Sequence, residues 1–182
     1  MFVGERGPKW VRTPRGPALR FDGAGDYLES DSFFPDLAMP FSITLWVNPA
    51  AAQLEYADIF GNHGEPYVGV SLQQNGKETN SYGFGYGDGK RWQGVGNVQL
   101  KAGQWQHVAV VCDGRTALFY VDGVQKARDP AVGPMAANPG QNFKLGQGYH
   151  SGRFFHGELR DVRIHRKALS AAQIEDLARE RR

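Results

Sequence analysis

The sequence lacks several features that mark common functional classes. It has one cysteine, Cys112, so no disulfide can form within the chain. Its formal net charge is only +2 and no basic stripe interleaved with aromatic residues occurs, which argues against a nucleic-acid partner. No apolar run approaches the ~20 residues of a membrane-spanning helix, and the start of the chain lacks the apolar stretch of a signal peptide. We therefore expect neither nucleic-acid binding nor membrane insertion.

Recognisable catalytic motifs are also missing. Retaining glycosidases need two carboxylates a short distance apart, and the nearest pair here, Glu55 and Asp58, has a spacing that places them on opposite faces of a strand. There is no G-x-S-x-G elbow, and the histidines show no metal-site spacing. We expect the chain not to be an enzyme, although a lyase built from isolated His, Tyr and Arg side chains stays open.

What the sequence does contain is a series of short alternating runs separated by turn signals such as QNGK, GDGK and VDGV. This pattern predicts an all-β fold, a two-sheet antiparallel β-sandwich of the jelly-roll kind. A short C-terminal helix should begin at about residue 170, where Ser170 can cap it and Gln173 stands at the capping-box position. Residues 1–17, rich in Pro, Gly and Arg, are expected to be an irregular arm before a single domain at 18–182.

The stretch YGFGYG alternates three aromatic residues with glycines, and its orientation matters for function. If Tyr82, Phe84 and Tyr86 faced outward, the intervening glycines would leave voids in the core, and voids are costly. We therefore favour the inward interpretation, in which the aromatics are core and the bare glycine strip lets a ligand approach the backbone. The outward alternative would make the rings a ligand platform.

Four phrases carry a resemblance to a known family: ALRFDGAGDYLES, FSITLWVNP, GQWQHVAVVCDGRTALFYVDG and FFHGELRDVRIHRKALSAAQI. In this order the chain resembles the laminin G-like, concanavalin A-like lectin/glucanase domains of bacterial multidomain proteins, from about Ala18 to Leu177. The resemblance implies a jelly roll with one concave and one convex sheet, and secretion or display at the cell surface. It spans carbohydrate-binding modules, adhesion modules and, more distantly, glycoside hydrolases and polysaccharide lyases, so it leaves the ligand open.

We expect a non-catalytic carbohydrate-binding domain, part of a larger secreted or surface protein, whose partner is an oligo- or polysaccharide. A sugar site needs a flat aromatic ring and polar groups around it. Candidate rings are Trp92, Trp46 and Tyr149. Alternation places Trp46 on the outward face of its strand. Candidate polar partners are Arg91, Gln93, His150 and Arg153, with His63 and Gln73 as further options. The rivals are a protein-interaction or adhesion module on the same fold and, less favoured, a glycan-processing enzyme.

The resemblance also implies a structural calcium ion, held in many relatives by an acid that precedes the x-V-R-I of the last strand. Here Arg160 takes that place, and a guanidinium repels a cation. We therefore expect no cofactor and no bound metal. Asp22 and Asp161 are the acids that would hold calcium if it were present, and Asp22 could instead pair with Arg160.

Overall fold

The computed structural model describes residues 2–3, 7–30, 39–130, 133–138 and 140–180, with the backbone alone for 2–3. These residues form two antiparallel sheets of seven strands each. Sheet A has the spatial order β1 (Phe2–Val3), β4 (Leu28–Glu29), β13 (Lys144–Leu145), β6 (Asp58–Gly61), β7 (Val70–Gln74), β8 (Ser81–Gly87) and β9 (Trp92–Gln99). Sheet B has the order β12 (Val124–Pro130), β11 (Thr116–Val121), β10 (Gln106–Cys112), β5 (Phe41–Pro49), β14 (His156–His165), β3 (Gly16–Asp22) and β2 (Lys9–Thr13). The predicted two-sheet antiparallel sandwich is confirmed.

The two sheets enclose a core in which the predicted inward aromatics take part. Tyr82, Phe84 and Tyr86 are all buried, and they share one apolar cluster with residues of β5, β10 and β11. Phe84 on β8 meets Phe41 on β5 edge-on, with ring centroids 6.1 Å apart. The aromatic ladder is therefore part of the core, and the inward interpretation is confirmed. Cys112 is buried in the same cluster, and burial raises the pKa of its thiol to about 12.

The outer face of sheet B is covered by the C-terminal helix and by the turn between β2 and β3. Helix α1 (Ala171–Arg179) packs Ile174 on this face, and the hydroxyl of Ser42 fixes the chain before it by accepting the Leu169 N–H at 3.0 Å. Ser170 caps the helix and Gln173 completes the capping box, as predicted.

The N-terminal arm differs from its prediction. Lys9–Thr13 form β2, which pairs in register with β3 at the end of sheet B, so residues 9–13 are not irregular. The strand character of the KWVRT segment was hidden among Pro, Gly and Arg residues, although its partner β3 is local in sequence: the two strands form a hairpin through residues 14–15. In the described part of the chain, no helix has the length and apolar character needed to cross a membrane.

Candidate functional site

A cleft lies on the outer face of sheet A and encloses about 440 Å³. Such a volume falls within the range of about 300–1,000 Å³ that is common for small-molecule sites. The cleft is bounded by strands β7, β8 and β9, by the loop that follows β6 and by the loop between β13 and β14. Its lining residues are His63, Gly64, Glu65, Ser71, Gln73, Asn75, Gly83, Phe84, Gly85, Trp92, Gln93, Gly94, Val95, Gly96, Tyr149, His150 and Arg153.

The floor of the cleft is bare backbone. On β8, Gly83 and Gly85 alternate with the core aromatics and therefore face the cleft, and on β9 Gly94 pairs directly with Gly85. Above Gly85 the nearest atom to an added Cβ would be Gln93 O at 3.6 Å, an ordinary contact distance, so a small group fits there without a clash. A flat ligand can therefore lie close to the sheet.

One end of the cleft is closed by the loop 64–69. Tyr67 and Val68 lie directly on Gly87, because an added Cβ at Gly87 would be 1.9 Å from the Tyr67 carbonyl oxygen. The loop is fixed to the sheet, since Gly87 donates its N–H to the Gly69 carbonyl at 2.9 Å. The Trp92 ring stands at this end, edge-on to Tyr67 at 6.2 Å, and is 39% exposed. The glycine strip is thus accessible at Gly83 and Gly85 but not at Gly87.

The opposite end carries a pair of amides. Asn75 Nδ2 donates to Asn97 Oδ1 at 2.8 Å, which joins β7 to β9 across β8. The Asn75 Oδ1 atom lies 3.1 Å from the position of an added Cβ on Gly83. These side chains form a low polar rim that can exchange hydrogen bonds with hydroxyl groups.

The wall of the cleft is the loop 147–153, which brings aromatic and basic side chains together. The Tyr149 ring contacts the His150 ring at a centroid distance of 4.8 Å and the His63 ring at 6.1 Å. His63 also contacts the Trp92 ring at 5.7 Å, so it links the wall to the closed end. The Arg153 guanidinium lies 4.8 Å from the centre of the Tyr56 ring, which holds its charge beside the cleft.

His63 is a buried, neutral imidazole in this wall. Burial, together with the electrostatic effect of His150 and Arg153, lowers its pKa to about 4. Its Nδ1 atom is buried without a hydrogen-bond partner in the described part of the chain. At neutral pH the ring therefore contributes an uncharged apolar surface with one donor or acceptor nitrogen.

A second buried titratable group, Asp58, lies beneath the wall. Its side chain is fully buried, and both carboxylate oxygens face the Gln73 amide nitrogen, at 3.3 and 3.2 Å. Burial raises the pKa of Asp58 to about 8, while the hydrogen bond from Gln73 and the charge of Arg153 act in the opposite direction. Asp58 is thus a carboxyl group that is largely protonated at neutral pH and lies directly beneath the loop 147–153.

The structure brings five of the seven predicted site residues to this cleft: Trp92, Gln93, Tyr149, His150 and Arg153. Arg91 lies next to Trp92 but is not part of the lining, and its Nε atom is 3.7 Å from Asp88 Oδ2. Gln93 also bonds to Asp88, donating from Nε2 at 2.7 Å. Ligand binding by these residues stays a prediction.

Trp46 does not join them. It lies on the outer face of sheet B, where its ring contacts the His107 ring at 5.4 Å and the Arg15 guanidinium lies 4.4 Å from the ring centroid. Only 5% of its surface is exposed. Alternation correctly placed it on the outer face of its strand, but the β2–β3 turn that carries Arg15 covers it. Trp46 therefore cannot serve as a platform in the cleft.

Sequence reasoning missed Asp58, Asn75 and the β9 glycines as parts of the cleft. Asp58 was considered only as a partner of Glu55, whereas its actual partner is Gln73, directly opposite on β7. The alternation of glycines in RWQGVGNVQ repeats that of YGFGYG and is the signal that could have identified the two-strand floor.

The two acids considered for calcium are engaged elsewhere. Asp22 Oδ1 accepts the N–H groups of Ala24, Gly25 and Asp26 and shapes the turn after β3. Both Asp161 oxygens accept from Arg163, at 2.8 and 2.7 Å. Across the described residues, no group of three or more His, Cys, Asp or Glu side chains is arranged to hold a metal ion. These acids therefore fit a calcium ion poorly, and its absence stays a prediction.

Comparison with solved structures finds the same fold in proteins of different kinds. Domain 4 of AbnA, an extracellular GH43 arabinanase from Geobacillus stearothermophilus solved in complex with arabinotriose, aligns with a TM-score of 0.74 at 23% identity, covering 94% of this chain and 81% of that chain. The binding domain of botulinum neurotoxin serotype G aligns with a TM-score of 0.74 at 13% identity, covering 97% of this chain and 45% of that one. The native heptameric SAP-like pentraxin from Limulus polyphemus aligns with a TM-score of 0.59 at 18% identity, covering 88% and 81%. At these identities the likeness shows the fold alone.

Sequence comparison assigns the family. No curated protein matches the chain significantly. The family model described as the concanavalin A-like lectin/glucanases superfamily matches residues 22–175, which is most of the chain. This match agrees with the two antiparallel sheets and with the similar solved structures. The chain belongs to the concanavalin A-like lectin/glucanase superfamily.

Proposed function

We propose that this chain is a non-catalytic carbohydrate-binding domain that holds an oligosaccharide in the cleft on sheet A. The observation that carries the proposal is the cleft itself, in which an open backbone floor meets the Trp92 and Tyr149 rings and a rim of amide, imidazole and guanidinium groups. A sugar presents an apolar C–H face and a ring of hydroxyls, and these groups complement both. The complex of the similar arabinanase domain with arabinotriose supports this ligand class.

The lining of the cleft supports binding rather than hydrolysis. Among the described lining residues, Glu65 is the only one with a carboxylate side chain. Asp58 is fully buried beneath the lining. Retaining hydrolysis needs two carboxyl groups about 5 Å apart on either side of the bond to be cleaved. A buried acid cannot reach that bond. We therefore propose a module that tethers a larger secreted or surface protein to a glycan.

The test is binding of a panel of neutral oligosaccharides, containing arabinotriose, xylotriose and cellotriose, measured by calorimetry. We expect Trp92→Ala to weaken binding of the best ligand, while Trp10→Ala leaves it unchanged because Trp10 lies on β2 of sheet B and is 73% exposed. Equal binding by both variants would place the ligand elsewhere. Release of reducing sugar during the incubation would instead support the enzyme, and no binding by the wild type would leave the protein-interaction module as the better proposal.

A further inference from the structure

The partner of Asp58 faces the cleft. Gln73 stands opposite Asp58 on the neighbouring strand, so the two side chains share the outer face of sheet A. The Gln73 amide nitrogen donates to both carboxylate oxygens, which turns the amide oxygen away from Asp58. Gln73 lines the cleft, and nothing in the described part of the chain donates to that oxygen. The amide end of Gln73 is therefore held by Asp58 at the lining of the cleft.

Asp58 is sealed in place by the wall of the cleft. An added Cβ on Gly148 would lie 2.1 Å from Asp58 Oδ2 and 2.7 Å from His63 Cε1, so the loop backbone rests on both groups. The Asp58 N–H donates to the Arg153 carbonyl at 3.1 Å, which joins the start of β6 to the end of the loop. The carboxyl therefore has little freedom, and it holds Gln73 in one orientation.

The charges around Asp58 are few. Arg153 and His150 belong to the loop 147–153, His63 follows β6, and Tyr82 lies on β8; the Arg153 charge lowers the pKa of Asp58 but does not outweigh burial. An ionised Asp58 would be a buried charge with a single amide donor, which is an unfavourable state. Any ligand that displaces water from the cleft makes the ionised state less favourable still.

We propose that Gln73 is a ligand-contacting residue of the cleft, that Asp58 is its positioning residue, and that ligand binding is coupled to the proton on Asp58. The inference rests on the proposed function, since it concerns the same cleft and a neutral oligosaccharide. Because the bound state retains the Asp58 proton more firmly than the free state, binding takes up protons near pH 8. Affinity therefore falls as pH rises through that value.

The experiment measures the dissociation constant of the best-binding trisaccharide of the panel between pH 6 and pH 9.5. For the wild type we expect constant affinity up to about pH 7 and a fall as the pH rises through 8, whose total extent is set by the difference between the Asp58 pKa in the bound and the free state. Asp58→Asn keeps the shape and the hydrogen-bonding capacity toward Gln73 but cannot ionise, so its affinity should not fall as the pH rises through 8. His63, with a pKa of about 4, does not titrate there.

Two further measurements separate contact from support. Gln73→Ala should weaken binding about 3- to 10-fold at pH 7, whereas Gln99→Ala should have no effect because Gln99 lies outside the cleft lining and its amide bonds to the Thr79 and Leu100 carbonyls. Calorimetry of the wild type at pH 8 in phosphate and in Tris, which differ in ionisation enthalpy, should show proton uptake on binding. This last measurement needs no variant and holds even if Asp58→Asn fails to fold.

The outcomes distinguish the inference from the proposed function. Binding by the wild type that is insensitive to Gln73→Ala, or that takes up no protons at pH 8, overturns the inference and leaves the carbohydrate-binding function in place. The same fall with pH in Asp58→Asn overturns the role of Asp58. Failure of the wild type to bind any oligosaccharide of the panel refutes the proposed function and the inference together.

Discussion

The substitution Gly85→Ala in the floor of the cleft should affect ligand binding and protein stability in opposite directions. The new methyl group would lie 3.6 Å from Gln93 O, 4.0 Å from Ser71 Oγ and 4.0 Å from Trp92 Cε3, which are ordinary contact distances. The backbone of Gly85 does not have a positive φ, so alanine fits without strain. Removing a glycine from the unfolded chain should stabilise the protein by about 0.4–1 kcal/mol.

The same methyl group should harm ligand binding. It stands on the floor, where we place the flat face of the sugar, and inserting a methyl group into a packed contact costs about 1–3 kcal/mol. The dissociation constant should therefore rise about 5- to 150-fold. Calorimetry with the best-binding trisaccharide measures this change, and a urea titration measures the free energy of unfolding.

Gly25→Ala is the matched control for this substitution. No atom lies within 4 Å of its added Cβ, its φ is not positive, and it lies in the turn after β3, outside the lining of the cleft. It should change neither affinity nor cleft geometry. Unchanged affinity in Gly85→Ala, combined with a loss in Trp92→Ala, would refute the idea that the ligand lies on the floor.

The remaining predictions concern the core, the aromatic platform, the metal and the pH dependence. Phe84→Ala should lower the free energy of unfolding by about 3–5 kcal/mol in a urea titration, because the ring is core; a near-neutral effect would contradict the packing. Trp92→Ala should weaken trisaccharide binding by about 1–3 kcal/mol with an almost unchanged melting temperature, as expected for a half-exposed ring. Added calcium should not shift the melting temperature; a rise that disappears in Asp22→Ala or Asp161→Ala would show a metal site. The folded chain holds the Asp58 proton up to about pH 8, whereas an ordinary carboxyl releases it near 3.8, so the free energy of unfolding should fall as pH rises between these values. Asp58→Asn should remove that fall in melting experiments across pH 4–9, and an identical pH profile would refute the raised pKa.

The core could be predicted from the sequence because its pattern is local. The alternation of YGFGYG assigns each ring and each glycine to a face, and volume alone decides which set is inside. The capping box of the C-terminal helix is equally local, since Ser170 and its partner are three residues apart. Such features need no knowledge of the partner strands.

The arrangement of the cleft depends on partners that are far apart in sequence. Asp58 meets Gln73 and Gly148 only after β6, β7 and the loop 147–153 have assembled. For Trp46, the alternation of the strand gave the correct face of the sheet. It could not reveal that Arg15 covers the ring on that face. Local pattern thus gives the direction of a side chain, while its neighbours and its exposure follow from the register between distant strands.

Under the proposed function, the glycine floor has a consequence for how ligand specificity can change. Because Gly85 and its neighbours contribute no side chains, discrimination between ligands resides in the loops 64–69 and 147–153 and in the ends of β7 and β9. The exposed positions of those loops can exchange residues, whereas Gly69 and Gly148 must stay glycine because backbone or buried groups lie directly against them. A library confined to the two loops should therefore give new specificities at little loss of yield, which makes the sheet a reusable scaffold for engineered glycan reagents.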